Sequence, residues 1–429
     1  MKTETLYQYF LESNGITTDT RKVTDNQLYF ALKGDNFNGN LFAKNALELG
    51  AKLAIVDQAE VIDPANQNAY FLVDNVLTAL QNLASYHRQQ LNIPIISLTG
   101  SNGKTTTKEL INAVLKQKFK TVATIGNLNN HIGVPLTLLS MDKNTEIGIV
   151  EMGANHQKEI EALCQIALPD YGYITNFGKA HLEGFGGVEG VIKGKSEMYD
   201  YLIANQKMAF VNLDDAIQIE KTKNLKRFTF AKYNNNADVI ITNVEANPNV
   251  KITFNDKIVQ SNLIGIYNAP NICAAITIGK YFEIEDNKIT QAIENYIPTN
   301  NRSQILNLDT NQIIMDAYNA NPSSMDVAIK NLSQLDVKNK VAVLGDMFEL
   351  GEESDKEHIN IITTGLSSTI NSIYFVGERF YANQIENKKA KYFKTITDLK
   401  SGFSFKAYQD ATILIKGSRG MALERLLDK

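Results

Sequence analysis

The chain has 429 residues, 44% hydrophobic and 21% charged, with a formal net charge of −4 and a pI near 5.9. These are globular proportions in a chain too long for one ordinary core, so two to four domains are expected and three fit best. The mild acidity argues against a basic nucleic-acid face, and no apolar run reaches bilayer-spanning length, so neither nucleic acid nor membrane is expected as a partner.

The opening Met1–Tyr7 carries Glu4 and has no apolar signal region with a small-residue cleavage site, which makes the cytoplasm the expected compartment. Cys164 and Cys273 are the two cysteines, and each sits in an apolar helical pattern. Buried thiols in a reducing compartment are expected. Residues 1–90 hold short apolar runs, Leu28–Leu32, Leu53–Val56 and Tyr70–Val73, separated by helical patterns, and read as a small α/β domain. The Asn92-Ile-Pro94 turn closes it, with the boundary near residue 91.

The apolar run Ile95–Leu98 then feeds Thr99-Gly-Ser-Asn-Gly-Lys-Thr-Thr106, a glycine-bounded loop that continues into helix formers. Backbone N–H groups freed by Gly100 and Gly103, with Ser101 and Asn102 between them, can wrap a polyphosphate. Lys104 supplies a point charge, and at the helix start the Thr105 hydroxyl, followed by Thr106, can ligate Mg²⁺. Ordinary turn and capping chemistry uses Gly and Thr as well. The strand before and the helix after favour a nucleoside triphosphate, although the spacing of the glycines is shorter than in G-x-x-x-x-G-K-[ST].

Further along, Ile147–Val150, Tyr173–Thr175 and Ala209–Leu213 alternate with helical stretches, which implies parallel strands with crossover helices. Strands near Val239–Val244 and Val250–Phe254 read as an antiparallel appendage, and a helix from about Asn268 returns the chain to the main body. Glu151 stands at the carboxyl end of its strand, the edge where open parallel sheets bind ligands, and a carboxylate there suits Mg²⁺. A solvent-facing acid is the plain alternative. His181, one of five histidines, lies in the loop after the next strand, and Lys193-Gly-Lys195 follows on a helix whose spacing leaves a solvated face open. The turn-rich Ile297–Arg302 reads as a hinge. Runs at Gln312–Met315, Val341–Leu344, Ser372–Val376 and Ala411–Ile415 make another α/β unit.

Taken together, these segments resemble the Mur ligases, in particular the branch that adds D-alanyl-D-alanine to a UDP-muramoyl tripeptide. The phosphate loop is shared across that superfamily and with folylpolyglutamate synthases. The branch resemblance is carried by Asn127-Leu-Asn-Asn130 with Gly133-Val-Pro135, Glu151-Met-Gly-Ala-Asn-His156, Ala180-His-Leu-Glu-Gly-Phe-Gly186 and Asp316-Ala-Tyr-Asn-Ala-Asn-Pro322, together with Leu344-Gly-Asp-Met-Phe-Glu-Leu-Gly351 and Lys416-Gly-Ser-Arg419. It implies an α/β fold in three domains: 1–90 for the UDP-muramoyl substrate, 91–298 with a central P-loop parallel sheet for ATP, and 299–429, Rossmann-like, completing the ligase. The reaction implied is ATP-dependent amide formation through an acyl phosphate, in peptidoglycan precursor synthesis. The last domain is expected to close about the 297–302 hinge, and the chain to be a monomer.

Position by position, the resemblance makes Lys104 the γ-phosphate contact, Thr105 and Glu151 ligands of Mg²⁺, and His181 a ligand of a second Mg²⁺. Lys195 aligns with a lysine carbamylated in the family, the carbamate being a further metal ligand. Lys104, Lys195 and His181 are the catalytic candidates. Asn268 and Asn271 match an adenine-binding element, in which Tyr267 departs from the usual histidine. Arg302 and Asp316 match phosphate and ribose positions, with Asn319 and Asn321 beside the nucleotide. Asp19 and Arg21 match the UDP element, although a local ion pair explains them without the resemblance. Asp346, Glu349, Ser418 and Arg419 are candidates for the dipeptide or the tripeptide carboxylate. Another Mur ligase, a folylpolyglutamate synthase, or an inactive nucleotide-binding regulator are the rival readings.

Overall fold

The computed structural model describes residues 2–299 and 301–427; Asn300, inside the expected hinge, lies outside the described residues. The chain forms two compact units. The first comprises Met1–Leu98, Phe119–Gly153 and Glu159–Gly172, and the second Thr99–Lys118, Ala154–Lys158 and Tyr173–Lys429.

In the first unit, the strands Ile16–Thr17, Leu28–Phe30, Leu53–Val56 and Tyr70–Leu72 pair in that order, all parallel. Leu28–Phe30 and Leu53–Val56 are buried along their whole length, which is why they read as short unbroken apolar runs. Helix Val76–Leu91 starts where the Asn75 side chain accepts the Thr78 N–H at 2.8 Å, and stops at Asn92, which is left-handed with φ 49° just before Pro94. Its Arg88 donates to the Ala167 and Leu168 carbonyls at 3.2 and 3.1 Å and pairs with Asp170 at 2.6 Å. Asp170 in turn accepts the Ile95 N–H at 3.0 Å, so this network fixes the start of the strand that feeds the phosphate loop. That strand pairs with Ile147–Glu151, which pairs with Thr121–Ala123, again all parallel.

The second unit begins with the loop and the helix Lys104–Leu115. Strands Met208–Asn212 and Lys226–Ala231 are parallel. Val239–Ala246 joins them, then runs antiparallel to Asn249–Phe254, which pairs antiparallel with Lys257–Ile264. This is the expected appendage, one strand longer than the sequence suggested. Beyond residue 301, six strands pair in the order Gln304–Leu308, Asn311–Asp316, Ala411–Lys416, Asn339–Gly345, Ser372–Val376 and Ala390–Phe393. All neighbours are parallel except the first pair, a hairpin. Ile313, Met315, Val341, Val343, Ile413 and Ile415 build the core on one face. No helix among the described residues is long and apolar enough to cross a membrane.

Candidate active site around the phosphate loop

The loop leaves its strand through Gly100 at φ +146° and enters the helix through Gly103 at φ +78°, backbone values that side chains rarely adopt. A Cβ on Gly103 would also lie 2.6 Å from the Asn271 Oδ1, so glycine is required on two counts. Thr175 and Asn176 brace the loop: the Thr175 hydroxyl donates to the Asn102 carbonyl at 2.6 Å, and Ser101 and Asn102 donate their N–H groups to the Asn176 carbonyl and side chain at 3.0 and 3.1 Å. Ser101 Oγ donates to the Gly178 carbonyl at 2.6 Å. Lys104 Nζ donates to the Gly100 carbonyl at 2.7 Å, so the ammonium lies over the concavity of the loop. Thr105 and Thr106 are buried at the helix start.

Asn268 and Asn271 form a relay. The Thr107 hydroxyl donates to Asn271 Oδ1 at 3.0 Å, Asn271 Nδ2 to Asn268 Oδ1 at 3.0 Å, and Asn268 Nδ2 to the Ile264 carbonyl at 2.8 Å. These amides clamp helix Ala269–Tyr281 onto the phosphate-loop helix, a structural role that the sequence did not suggest. Tyr267, in place of the usual histidine, exchanges a 3.0 Å hydrogen bond with Ser303, whose N–H is accepted by Asp316 at 3.1 Å. Asp316 pairs with the buried Lys416 at 2.7 Å, and Lys416 also donates to the Asn319 carbonyl at 3.2 Å. Arg302 stacks 3.5 Å from the Tyr318 ring centroid, and its Nε is buried without a hydrogen-bond partner among the described residues. A buried guanidinium nitrogen left open in this way fits an anionic oxygen that the protein itself does not supply.

Helix Val188–Ala204 carries both candidate lysines, Lys193 exposed and Lys195 only 1% exposed. Lys195 Nζ sits 5.2 Å from the centroid of the Phe185 ring and makes no hydrogen bond or ion pair among the described residues. Burial, and secondly the Lys104 charge, hold its pKa well below the ordinary lysine value. His181 has φ 53° and shares its Nδ1 with Glu349, and that hydrogen bond holds the Glu349 carboxyl below the usual range. Nearby, Lys179 Nζ pairs with Glu357 at 2.6 Å, its N–H donates to Ser323 Oγ at 2.9 Å, and Asn321 Nδ2 donates to Asn102 Oδ1 at 2.7 Å. Lys179, Ser323 and Glu357 were missed as site elements, because each contact joins residues more than a hundred positions apart.

In the first unit, Glu151 is 1% exposed, accepts from Asn129 Nδ2 at 2.8 Å, and has its N–H bonded to Thr124 Oγ1 at 3.0 Å. It is therefore a buried, oriented carboxylate rather than a solvent-facing strand end. Asp19 and Arg21 form a local pair at 2.8 Å that also caps a short 3₁₀ turn. Arg21 pulls the Asp19 carboxyl down to about 2. No group of three or more His, Cys, Asp or Glu among the described residues is arranged to hold a metal ion. The buried carboxylate of Glu151 is a donor of the kind Mg²⁺ takes, since that ion uses one or two carboxylates and completes its shell with phosphate oxygens and water.

Of the four candidates in the last domain, Asp346 is buried and accepts the Arg379 and Phe380 N–H groups at 2.9 and 3.0 Å. Ser418 Oγ accepts the Phe348 N–H at 2.9 Å, and Arg419 pairs with Glu424 at 2.6 Å. Asp346 and Ser418 thus hold the loop that carries Glu349, whereas Arg419 pairs within its own segment. Buried His358 fixes the same loop: its Nε2 accepts the Met347 N–H at 3.1 Å and its Nδ1 donates to the Ser354 carbonyl at 2.7 Å, the pattern of a neutral ring. Burial lowers its pKa, so its 3.7 Å approach to Asp346 is not an ion pair at neutral pH. A depressed folded-state pKa means that the stability from neutral His358 is present above the unfolded value of about 6.5 and is lost as pH falls through the folded one. Urea unfolding is expected to show the advantage of wild type over His358→Leu shrinking between about pH 7.5 and pH 5.5. A gap that widens on acidification would reverse the assignment.

Family models match nearly the whole chain: a Mur ligase family catalytic domain over residues 12–98, a Mur ligase middle domain over 98–279, and a Mur ligase glutamate ligase domain over 301–419. The UDP-N-acetylmuramoyl-tripeptide–D-alanyl-D-alanine ligase of Bacillus subtilis is 34% identical over 422 residues, covering 96% of this chain and 92% of that protein. The protein of the same name from Escherichia coli is 32% identical, with 96% and 93% covered. Among solved structures, a crystal structure of MurF from Acinetobacter baumannii superposes with a TM-score of 0.88 at 30% identity, covering 99% of this chain and 97% of that one. MurF from Thermotoga maritima, solved in complex with ADP, gives 0.84 at 26% identity, with 98% and 97% covered. A braced phosphate loop, a Rossmann-like last sheet and similarity that runs end to end lead to one assignment: the chain belongs to the Mur ligase family.

Proposed function

We propose that this chain is an ATP-dependent ligase that joins D-alanyl-D-alanine to UDP-N-acetylmuramoyl-tripeptide, releasing ADP and phosphate, as a step of peptidoglycan precursor synthesis. The observation that carries the reading is the phosphate loop, which is braced by residues 175–178 and tied through Asn102 to Asn321 of the ligase-domain segment. Relatives over the full chain length carry the dipeptide-adding name.

A carboxylate is a poor electrophile and an ammonium is no nucleophile, so the tripeptide carboxylate must first be activated. A carboxylate oxygen attacks the γ-phosphorus, ADP leaves, and an acyl phosphate forms. The neutral amine of the dipeptide then attacks the acyl carbon, phosphate leaves, and the nitrogen gives up a proton. Lys104 holds the γ-phosphoryl group and offsets its charge, and Arg302 offers its open Nε to a phosphate oxygen. Asp316, positioned by Lys416, and the Asn319 segment border the nucleoside. The resemblance assigns Mg²⁺ to Thr105, Glu151, His181 and a carbamylated Lys195. When bound, the metal supplies charge neutralisation at the transferring phosphoryl group. Between the two lysines of the helix, burial favours Lys195 over exposed Lys193, because only a neutral amine adds to CO₂.

The reading carries with it the division 1–90, 91–298 and 299–429, a cytoplasmic monomer, and closure that keeps water from the acyl phosphate. Incubation with ATP, Mg²⁺, D-alanyl-D-alanine and either the lysine or the diamino-diacid UDP-muramoyl-tripeptide is expected to give a product heavier by the dipeptide less one water. Turnover with a single amino acid but not with the dipeptide would transfer the chain to another branch of the family.

A further inference from the structure

The loop 178–183, which follows strand Tyr171–Ile174 and receives Ser101 of the phosphate loop, is also where the last domain is seated. Helix Pro322–Gln334 meets it with its N-terminus. The Asn321 side chain caps that helix by accepting the Ser324 N–H at 2.9 Å, and its Nδ2 donates to Asn102 Oδ1 of the phosphate loop at 2.7 Å. Ser323 Oγ accepts the Lys179 N–H at 2.9 Å, and a Cβ on Gly178 would lie 3.2 Å from the same oxygen, so the loop runs close against the helix start. Further along, the Glu349 carbonyl accepts the Glu183 N–H at 3.3 Å. All of these residues belong to the second compact unit.

One contact across this seat differs in kind. Lys179 Nζ reaches Glu357 Oε1, on helix Ser354–Ser367, at 2.6 Å. The Glu357 side chain is only 5% exposed, whereas that of Lys179 is 43% exposed. Lys179 is the only ion-pair partner of Glu357 among the described residues, because the adjacent cation, Lys356, is taken by Glu353 at 2.7 Å.

We propose, building on the ligase reading above, that Lys179 and Glu357 are a positioning pair that registers the last domain on the phosphate loop and so keeps water from the acyl phosphate. The basis is the difference between neutral and charged contacts. The amide and hydroxyl bonds of Asn321 and Ser323 exchange for bonds to water at small net cost, so they discriminate weakly between this orientation and its neighbours. A carboxylate withdrawn from water does not tolerate the loss of its counter-charge, and Lys179 supplies that charge only when helix Ser354–Ser367 stands over it. Such a pair contributes more to orientation than to affinity. Its effect reaches the chemistry through neighbours: the Gly178 carbonyl accepts from Ser101, and Asn102 accepts from Asn321, so a shift of the last domain on this loop is felt at the phosphate loop.

The test uses the full chain with ATP, Mg²⁺, UDP-muramoyl-tripeptide and D-alanyl-D-alanine, and compares phosphate released with product ligated. Wild type is expected to release about one phosphate per product. Lys179→Met and Glu357→Gln are each expected to lower kcat for product about tenfold, leave KM for ATP within about twofold, and raise the ratio to about two or more, because water reaches the acyl phosphate under a loosely seated domain. The reversed pair, Lys179→Glu with Glu357→Lys, is expected to bring kcat and the ratio back to within about threefold of wild type, since registration needs opposite charges and not a given partner for each. The seat is also read without turnover: amide exchange over residues 178–183 is expected to be about tenfold faster in Lys179→Met and restored in the reversed pair. Single variants that keep the wild-type rate, ratio and exchange overturn the assignment. So does a reversed pair no better than the single variants, the result that a structural role of either side chain within its own segment would give. Wild-type product formation reports on the ligase reading, whereas exchange at the loop reports on the pair even where no product forms.

Discussion

Replacing Lys104 by alanine is expected to lower kcat for ATP-dependent product formation by on the order of 10²–10³-fold, the usual cost of removing one preorganised charge from a developing oxyanion. The geometry explains why compensation is not expected. Lys104 reaches back over its own loop to the Gly100 carbonyl at 2.7 Å, so its ammonium is already held at the mouth of the loop before any phosphate arrives. The neighbouring lysine, Lys195, is buried, and burial lowers its pKa well below the ordinary value, so it does not replace the lost charge. The loop conformation rests on Gly100, Gly103, Thr175 and Asn176 rather than on the lysine, so thermal unfolding of Lys104→Ala is expected to stay close to wild type. Release of labelled phosphate from ATP under single-turnover conditions separates the chemical step from binding. Wild-type rates in that assay would remove Lys104 from the reaction.

The strands that position this loop were legible because their burial on both faces makes them unbroken apolar runs, as in Ile95–Thr99 and Ile147–Glu151. The glycines were legible because a tight phosphate-binding turn needs backbone values that other residues rarely adopt. Gln304–Leu308 escaped notice since it is a half-buried edge hairpin whose pattern is weak. The Asn268–Asn271 relay escaped because its anchor, Thr107, lies 164 residues away, and the Asp316–Lys416 pair because its members are 100 apart. No local pattern reports a partner at such distances. By contrast, the Asp19–Arg21 pair is two residues long, and its local ion-pair reading could be stated from the sequence alone. Periodicity also failed to separate Lys193 from Lys195, because Gly194 through Tyr199 are all buried and no single solvent stripe survives in that turn.

Lys195→Ala is expected to cost activity on the order of 10²–10³-fold without costing stability. Burial that lowers the pKa of this lysine costs the fold stability at neutral pH, where the amine of the unfolded chain is protonated, so removing it should leave the urea midpoint unchanged or raise it. Activity should fall nonetheless if the side chain works as a carbamate, since an anionic oxygen donor disappears with it. Short carboxylates such as acetate or formate, soaked into the space the side chain vacates beside Phe185, are then expected to restore part of the rate to Lys195→Ala and none to Lys104→Ala. Carbon-13 bicarbonate provides a readout independent of turnover: a carbamate resonance in wild type, absent from Lys195→Ala and retained in Lys193→Ala. Exposed Lys193 serves as the internal control, because a protonated amine in water does not add to CO₂ at neutral pH. Unimpaired turnover of Lys195→Ala, or a resonance that follows Lys193 instead, would show that burial of this lysine serves packing alone.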